Sequence, residues 1–478
     1  MEKITGITCP ICGSFCDDLE VIVKDNVITE VQNGCAIAEA KFLGFAEHRQ
    51  ISPLIRKQGK LVPASLDEAI AKSAEILVNS KYPCLYGWSN TSCEAIKYGM
   101  ALAEEVGGVI DNTTTICHGP SILSIQDIGI PSCTLGQLRH RADLVIYWGS
   151  NPWSAHPRHI ERYTAFSEGR FQDSEWRDYV IKSRANQIRK RILRASDLTH
   201  DRGMTQLPDI QDAALSELEE GRKMVVVDVR RTRTADIADA FIQIKPGTDY
   251  ELLQAMRLLI RYEELEVDEV AGLPMDLLED FADLLISCDF GVLFFGVGLT
   301  MSAGKHRNID AALCLTRDLN QRTKFVIMPM RGHFNVTGAN TVSTWQSGYP
   351  YAVDYSQGYP YYNPGETSVT DILNRGMSDA ALILASDPVA HFPRASAQTL
   401  IEHPLIVIDP VLTPTAHLAD VYIPSAFVGV ETEGTAYRMD HVPLDLKKIV
   451  EPPAGVWSDE IVLERIYQKV RSIKETQE

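Results

Sequence analysis

Short runs of aliphatic and β-branched residues recur along the chain, each stopped by Gly, Asp, Ser or Pro. Leu144–Trp148 runs into Gly149, residues 225–227 into Asp228, 292–295 into Gly296 and 325–328 into Pro329. Further on, residues 381–385 lead to Ser386 and Asp387, and Leu405–Ile408 leads to Asp409. These runs are continuously apolar rather than alternating, so they read as strands buried on both faces. Between them lie segments with helical periodicity, such as 250–262 and 273–285. Strands alternating with helices predict an α/β fold of parallel sheets covered on both sides. In such sheets ligands bind at the carboxyl ends of the strands, where the polar tips fall. Two segments depart from this pattern. Residues 17–33 alternate apolar and polar around Asn26, which predicts a small β-hairpin. Residues 169–208 are rich in charge, with Arg189, Lys190, Arg191 and Arg194 close together and Trp176, Tyr179, Val180, Ile188 and Ile192 at roughly helical spacing. That segment is either an amphipathic insertion with a solvated face or a docking element for a partner.

The length of 478 residues suggests about three domains at roughly 150 residues each. A net charge of −18 argues against nucleic acid or an anionic membrane surface as the main partner, because phosphates would be repelled. No N-terminal apolar stretch reads as a secretory signal and no apolar run is long enough for a membrane span. Ten cysteines in a long chain of this kind point to metal ligation or core packing in a reducing cytoplasm rather than to disulfides.

Four of those cysteines, Cys9, Cys12, Cys16 and Cys35, have the spacing C-x2-C-x3-C-x18-C. Three thiolates within eight residues can wrap one face of a compact inorganic cluster, and a distant fourth closes it. Zinc is the competing ligand, although its sites usually pair two short C-x2-C hooks. Unconnected core cysteines are a third reading. Cys117 stands in Asp111-Asn-Thr-Thr-Thr-Ile-Cys-His-Gly-Pro-Ser121, where Pro120 suits the first turn of a helix. A cysteine at a helix start favours the thiolate, which a metal or an electrophile requires, and the adjacent His118 could move a proton. A small buried cysteine in a Thr-rich turn fits the same residues. Cys84, Cys93, Cys133, Cys288 and Cys314 lie singly in mostly apolar surroundings and read as core.

Taken in order, these features resemble the molybdopterin oxidoreductase superfamily. The four-cysteine group is followed by Gly149-Ser150-Asn151-Pro152, Pro246-Gly247-Thr248-Asp249, Asp409 with Thr413, Ala416, Ala419, Asp420 and Pro424, and Glu433-Gly434-Thr435 with Arg438. Within it, Cys117-His118-Gly119-Pro120-Ser121, Tyr147 to Pro152, Ala155-His156-Pro157-Arg158-His159 and Arg331-Gly332-His333-Phe334-Asn335-Val336-Thr337-Gly338 look like the B subunits of formylmethanofuran dehydrogenases. The segment 169–208 is the main departure from that family. The resemblance implies a small N-terminal iron–sulfur β-rich domain (1–55) followed by two doubly wound parallel-sheet domains. One is discontinuous (56–111 and 325–478); the other (112–324) binds pterin dinucleotide. It further implies a 4Fe–4S cluster, and molybdenum or tungsten held by two molybdopterin guanine dinucleotides. Cys117 would be the protein ligand to that metal, flanked by His118 and Arg331, and the chemistry would be reduction of carbon dioxide to formate. Gly149, Ser150 and Asn151 would approach a diphosphate. Gly247, Gly296 and Gly298 would contribute to cofactor turns, and Asp228, Asp249, Asp387 and Asp409 would accept hydrogen bonds from guanine or ribose. For each of these individually a plain loop or helix cap is the competing use. The partners implied are an amidohydrolase-type subunit, ferredoxin-like electron-transfer subunits and a small β-rich subunit in place of a C-terminal β-barrel. Two other functions remain open: a formate dehydrogenase acting on free formate, and a redox-silent scaffold of a formyltransferase/hydrolase complex.

Overall fold

The structure, a computed structural model, describes residues 1–47, 49–167 and 222–477. The charged segment 169–208 lies outside the described residues. The chain forms two compact units, Met1–Gly119 with Arg331–Glu478, and Pro120–Met330.

The first unit opens with a three-stranded antiparallel sheet, Glu2–Ile7, Leu19–Lys24 and Val27–Gln32. The last two are the expected hairpin. Its turn residues Asp25 and Asn26 have φ of 50° and 64°, a left-handed pair that Asn and Asp tolerate better than most residues. The Asn26 side chain also grips the backbone of Glu451, donating to its carbonyl at 3.0 Å and accepting from its N–H at 2.7 Å. The main sheet of this unit has nine strands. Its parallel centre runs Val109–Asn112, Pro83–Gly87, Ala380–Leu384, Leu405–Ile408 and Val421–Ile423. Antiparallel strands flank both sides. Helices Leu66–Asn79, Cys93–Val106 and Asp459–Gln477 contribute apolar residues to one buried cluster, and Arg394–Glu402 to another. Leu66–Asn79 starts where Ser65 and Glu68 form a reciprocal capping box.

The order of the central strands places a topological switch point between Pro83–Gly87 and Ala380–Leu384. From the first the chain winds one way, and from the second the other. The loops leaving those two strands carry bulky or β-carbon-bearing residues in the left-handed region, Trp88 at φ 69° and Ala385 at φ 46°. Such strain persists only where the surroundings hold it. Trp88 is fully buried against Gly99 of helix Cys93–Val106, where an added Cβ would come within 2.3 Å of the indole.

Among the described residues the second unit has a five-stranded, all-parallel sheet in the order Ala240–Gln243, Lys223–Asp228, Leu144–Trp148, Phe290–Phe295, Lys324–Pro329. Its switch point lies between Leu144–Trp148 and Phe290–Phe295. Lys324–Pro329 pairs with Phe290–Phe295 along its whole length. The first unit therefore resumes at Arg331 rather than at 325, where sequence alone puts the boundary. The cysteine-bearing N-terminus clusters with that same unit.

Candidate active site

The loop between Ile7 and Leu19 brings the first three cysteines together. Cys9 N–H donates to the Cys16 carbonyl at 2.8 Å and Phe15 N–H to that of Cys12 at 3.0 Å. Cys35 caps helix Ala36–Gly44, its sulfur accepting from Ala38 N–H at 3.4 Å. Burial pushes the Cys9 thiol well above its ordinary range, and Cys16, Cys12 and Cys35 add to the rise. Burial also raises Cys12. Four thiols thus lie within electrostatic reach, yet among the described residues no three His, Cys, Asp or Glu side chains are arranged around a single ion. The loop touches the rest of the unit at Gly13. Its N–H donates to the Gly332 carbonyl at 3.1 Å, its carbonyl accepts from Met439 N–H at 3.2 Å, and an added Cβ would lie 2.2 Å from the Arg331 carbonyl oxygen.

Cys117 ends a 3-10 turn, Thr113–Ile116, and stands two residues ahead of helix Gly119–Ile128. Its N–H donates to the Thr114 carbonyl at 3.1 Å. Burial pushes the thiol up to about 11, opposed by the Arg331 cation. Asp111 holds the approach to this turn, accepting from Thr115 Oγ1 at 2.6 Å and from the N–H groups of Asn112, Ala352 and Val369. Burial raises it to about 7 despite these bonds. His118 is fully buried. Arg331 is buried too, lowered to about 10 by desolvation, and its Nη1 donates to Asn340 Oδ1 at 3.0 Å and Thr337 Oγ1 at 3.4 Å. The hairpin loop after Gly434–Tyr437 brings His441 into the electrostatic range of Arg331, beside a buried Arg438–Asp440 pair bonded at 2.7 and 2.8 Å.

A cavity of about 490 Å³ opens at the switch point of this unit, lined by Cys117, Thr113, His333, Asp387, His391 and Asp409, among others. Asp387 accepts from the Thr415 N–H at 2.9 Å and from its hydroxyl. Asp409 is pushed up to about 8 by burial, with Asp459 and Asp387 adding to the rise. A second cavity of about 610 Å³ shares Asp409 and reaches Pro10 and Ile11 of the cysteine loop. Asp387 and Asp409 therefore share a cavity with Cys117, while Arg331 interacts with Cys117 electrostatically. Sequence reasoning assigned no role to His333, His391, His441 or Asn340. Only His333 carried a signal, lying inside the Arg-Gly-x-x-Asn segment.

The remaining predicted cofactor residues lie in the second unit, most of them at its own switch point. Gly149 has φ 54°, and a Cβ there would lie 2.8 Å from the Leu299 nitrogen. Gly298 N–H donates to the Gly149 carbonyl at 3.0 Å and Gly296 N–H to that of Trp148 at 3.1 Å. Gly149, Gly296 and Gly298 are thus required by the close approach of two loops to each other. Ser150 is buried beside them, and Asn151 accepts from Thr234 Oγ1 at 2.7 Å. Asp249 accepts from Trp148 Nε1 at 2.9 Å and is raised by burial, with Asp228 adding to the rise. Asp228 is itself raised by burial, and Gly247 takes φ 80° just ahead of helix Asp249–Leu259.

The sequence profile described as Molybdopterin oxidoreductase matches residues 209–469. Over 476 residues the chain is 45% identical to the B subunit of the tungsten-containing formylmethanofuran dehydrogenase 2 of Methanocaldococcus jannaschii, covering 99% of this chain and 100% of that one. The chain belongs to the family of formylmethanofuran dehydrogenase B subunits, within the molybdopterin oxidoreductases. The corresponding polypeptide of Methanococcus maripaludis is 41% identical over 477 residues, 99% of this chain and 100% of that one. Among solved structures, the formyltransferase/hydrolase complex (FhcABCD) from Methylorubrum extorquens, in complex with methylofuran, shares the fold. The TM-score is 0.65 at 19% identity, over 88% of this chain and 99% of that chain.

A molybdopterin oxidoreductase carries a metal held by pterin, and the residues here fit such a group. Cys117 supplies a soft sulfur donor at the wall of the 490 Å³ cavity. Asp409, a carboxyl pushed up by burial on the same wall, accepts from the Val411 N–H at 2.8 Å, and Tyr86, also on that wall, has a buried hydroxyl with no hydrogen-bond partner among the described residues. Among the described residues no helix is long and apolar enough to cross a membrane.

Proposed function

We propose that the chain is a catalytic redox subunit reducing carbon dioxide to formate, reversibly, at molybdenum or tungsten held by Cys117 and two molybdopterin guanine dinucleotides. The observation that carries this reading is the pairing of Cys117 with Arg331 in one unit, Arg331 being linked through Asn340 and Thr114 to the turn that ends at Cys117, with Cys117 on the wall of a switch-point cavity. Two electrons and one proton convert carbon dioxide into formate, forming one C–H bond and leaving negative charge on the two oxygens. When bound, the metal–pterin group supplies the electron exchange. The buried Arg331 guanidinium binds the two substrate oxygens as a fork and stabilises their charge. His118, buried next to Cys117 in the chain, holds or releases the proton.

Asp387 and Asp409 in the first unit, and Asp228 and Asp249 in the second, would accept hydrogen bonds from guanine and ribose. Gly149, Ser150, Asn151, Gly247, Gly296 and Gly298 would leave room for diphosphate near the backbone. Cys9, Cys12, Cys16 and Cys35 would hold a 4Fe–4S cluster. Their spacing, a triplet and a distant single rather than two short C-x2-C hooks, favours a cluster over zinc. Formate would pass to an amidohydrolase-type subunit for condensation with methanofuran. Ferredoxin-like subunits would feed electrons, a small β-rich subunit would cover the dinucleotides, and the assembly would work in the cytoplasm. Retention of all four N-terminal cysteines and Cys117 speaks against a redox-silent scaffold.

Anaerobic purification of the assembly from its source tests the reading. About four irons per chain are expected for one cubane, with stoichiometric molybdenum or tungsten and formate oxidation by an artificial acceptor. Stoichiometric zinc in place of iron, or no molybdenum or tungsten, would overturn it.

A further inference from the structure

Asn340 lies on helix Val336–Ser347 and is buried. Its Oδ1 accepts from Arg331 Nη1 at 3.0 Å, and its Nδ2 donates to the Pro350 carbonyl at 2.9 Å and to Thr114 Oγ1 at 3.0 Å. A guanidinium can only donate and a peptide carbonyl can only accept, so the amide orientation is fixed by its neighbours. The Thr114 hydroxyl, which can do either, closes the set. Thr114 belongs to the 3-10 turn that ends at Cys117, and its carbonyl receives the Cys117 N–H at 3.1 Å. One side chain thus joins the guanidinium to the turn that presents the thiol. Thr337, one helical turn earlier on the same face, adds its hydroxyl to Arg331 at 3.4 Å.

We infer that Asn340, acting with Thr114, is a positioning residue that fixes Arg331 relative to Cys117 while leaving the guanidinium charge available to the substrate. The inference rests on the proposed function for what Arg331 binds, but not for the geometry of the Cys117 turn. Asparagine suits the position because its neutral carbonyl orients the cation without cancelling it. Aspartate of nearly the same shape would set a carboxylate against Arg331, compete with the substrate's oxygens and lose the donor to Pro350. Leucine would leave both Arg331 Nη1 and the Pro350 carbonyl without this partner.

The test uses the whole enzyme assembly with four variants: Asn340→Asp, Asn340→Ala, Thr114→Val and Thr114→Ser. Metal and iron content, the paramagnetic resonance spectrum of the half-reduced metal, and formate KM and kcat are measured for each. Asn340→Asp and Asn340→Ala should keep metal and iron but raise formate KM, on the order of tenfold to a hundredfold, the first by competing with the substrate's oxygens and the second by loss of a charge-assisted contact. The fall in kcat should be smaller. Thr114→Val should shift the metal spectrum by reorienting the Cys117 turn, and Thr114→Ser, which keeps the hydroxyl, should restore it. An unchanged KM in Asn340→Asp together with an unchanged spectrum in Thr114→Val overturns the inference. So does joint loss of metal and iron in both Asn340 variants and Thr114→Val with failure of Thr114→Ser to restore them, since that is a purely structural role. If the wild-type enzyme does not oxidise formate, the functional reading fails, and the spectra of the Thr114 pair still decide the positioning role.

Discussion

Cys117 and Arg331 have separable duties, and single substitutions should separate them. Cys117→Ser replaces a soft ligand by a hard one while leaving the four N-terminal cysteines untouched. The metal's spectrum should change and turnover should vanish, with iron content unaltered; a spectrum identical to wild type would remove Cys117 from the metal. Arg331→Ala should keep the metal but weaken transition-state binding by about 2.7–4 kcal/mol, a rate loss of roughly a hundredfold to a thousandfold. Arg331→Lys should not restore it, because an ammonium cannot reproduce the planar fork. Near-normal kcat/KM for formate in either Arg331 variant would mean that another cation does this work. At this scale the sequence was informative where chemistry is local. Cys117, His118 and Arg331 could be singled out from their motifs, and so could Asp387 and Asp409 from their strand tips. Asn340 could not, because its meaning depends on Thr114, more than two hundred positions away in the chain.

The elements that carry the site were largely legible, since continuous apolar runs ending in Gly, Asp or Ser became the parallel strands themselves. Leu144–Trp148 and Leu405–Ile408 begin and end where the pattern does. Strand order was not legible. Nothing local says that Pro83–Gly87 lies beside Ala380–Leu384, yet that neighbour relation creates the switch point and its cavity. The same holds for the cysteine loop. Its spacing is visible, but the seat of Gly13 on the Arg331–Gly332 backbone is not. Gly13 has an ordinary φ, so the requirement for glycine there is purely one of space. Gly13→Ala places a methyl group 2.2 Å from the Arg331 carbonyl oxygen, and backbone cannot yield as a flexible side chain can. The loop or the arginine segment must move. The expected result is a raised formate KM with the four cysteines intact, accompanied by a lower yield of iron-loaded protein. Wild-type iron content and wild-type KM together would show that the contact has no bearing on the site.

Carboxyls of the described residues set two opposing pH dependences. Asp318 and Asp379 are held low by hydrogen bonds, to Arg257 and Arg261 in one case and to Ser80, Lys81 and Tyr82 in the other. Their stabilisation is present above an unfolded pKa of about 3.9 and is lost as pH falls through their lower folded values. Asp409 runs the other way, being pushed up to about 8 by burial and by its acidic neighbours Asp459 and Asp387. Between about pH 4 and 8 the unfolded chain has released this proton while the folded chain keeps it, so folded stability declines as pH rises through that window. Below it both states are protonated, above it both are ionised, and the slope disappears. Asp111, raised to about 7, contributes in the same direction over a narrower range. A bound cofactor that donates hydrogen bonds to Asp409 would stabilise the carboxylate and conceal the effect, so the cofactor-free chain is the material to use. Asp409→Asn keeps an oxygen for the Val411 N–H, bonded at 2.8 Å, and removes the ionisation. In the cofactor-free chain the variant should melt close to wild type at pH 5 and above it at pH 8, as followed by circular dichroism. A wild-type advantage at pH 8 would show that Asp409 is ionised and well solvated in the folded chain, and the buried carboxyl at the switch point would lose its claim to a donor-rich ligand.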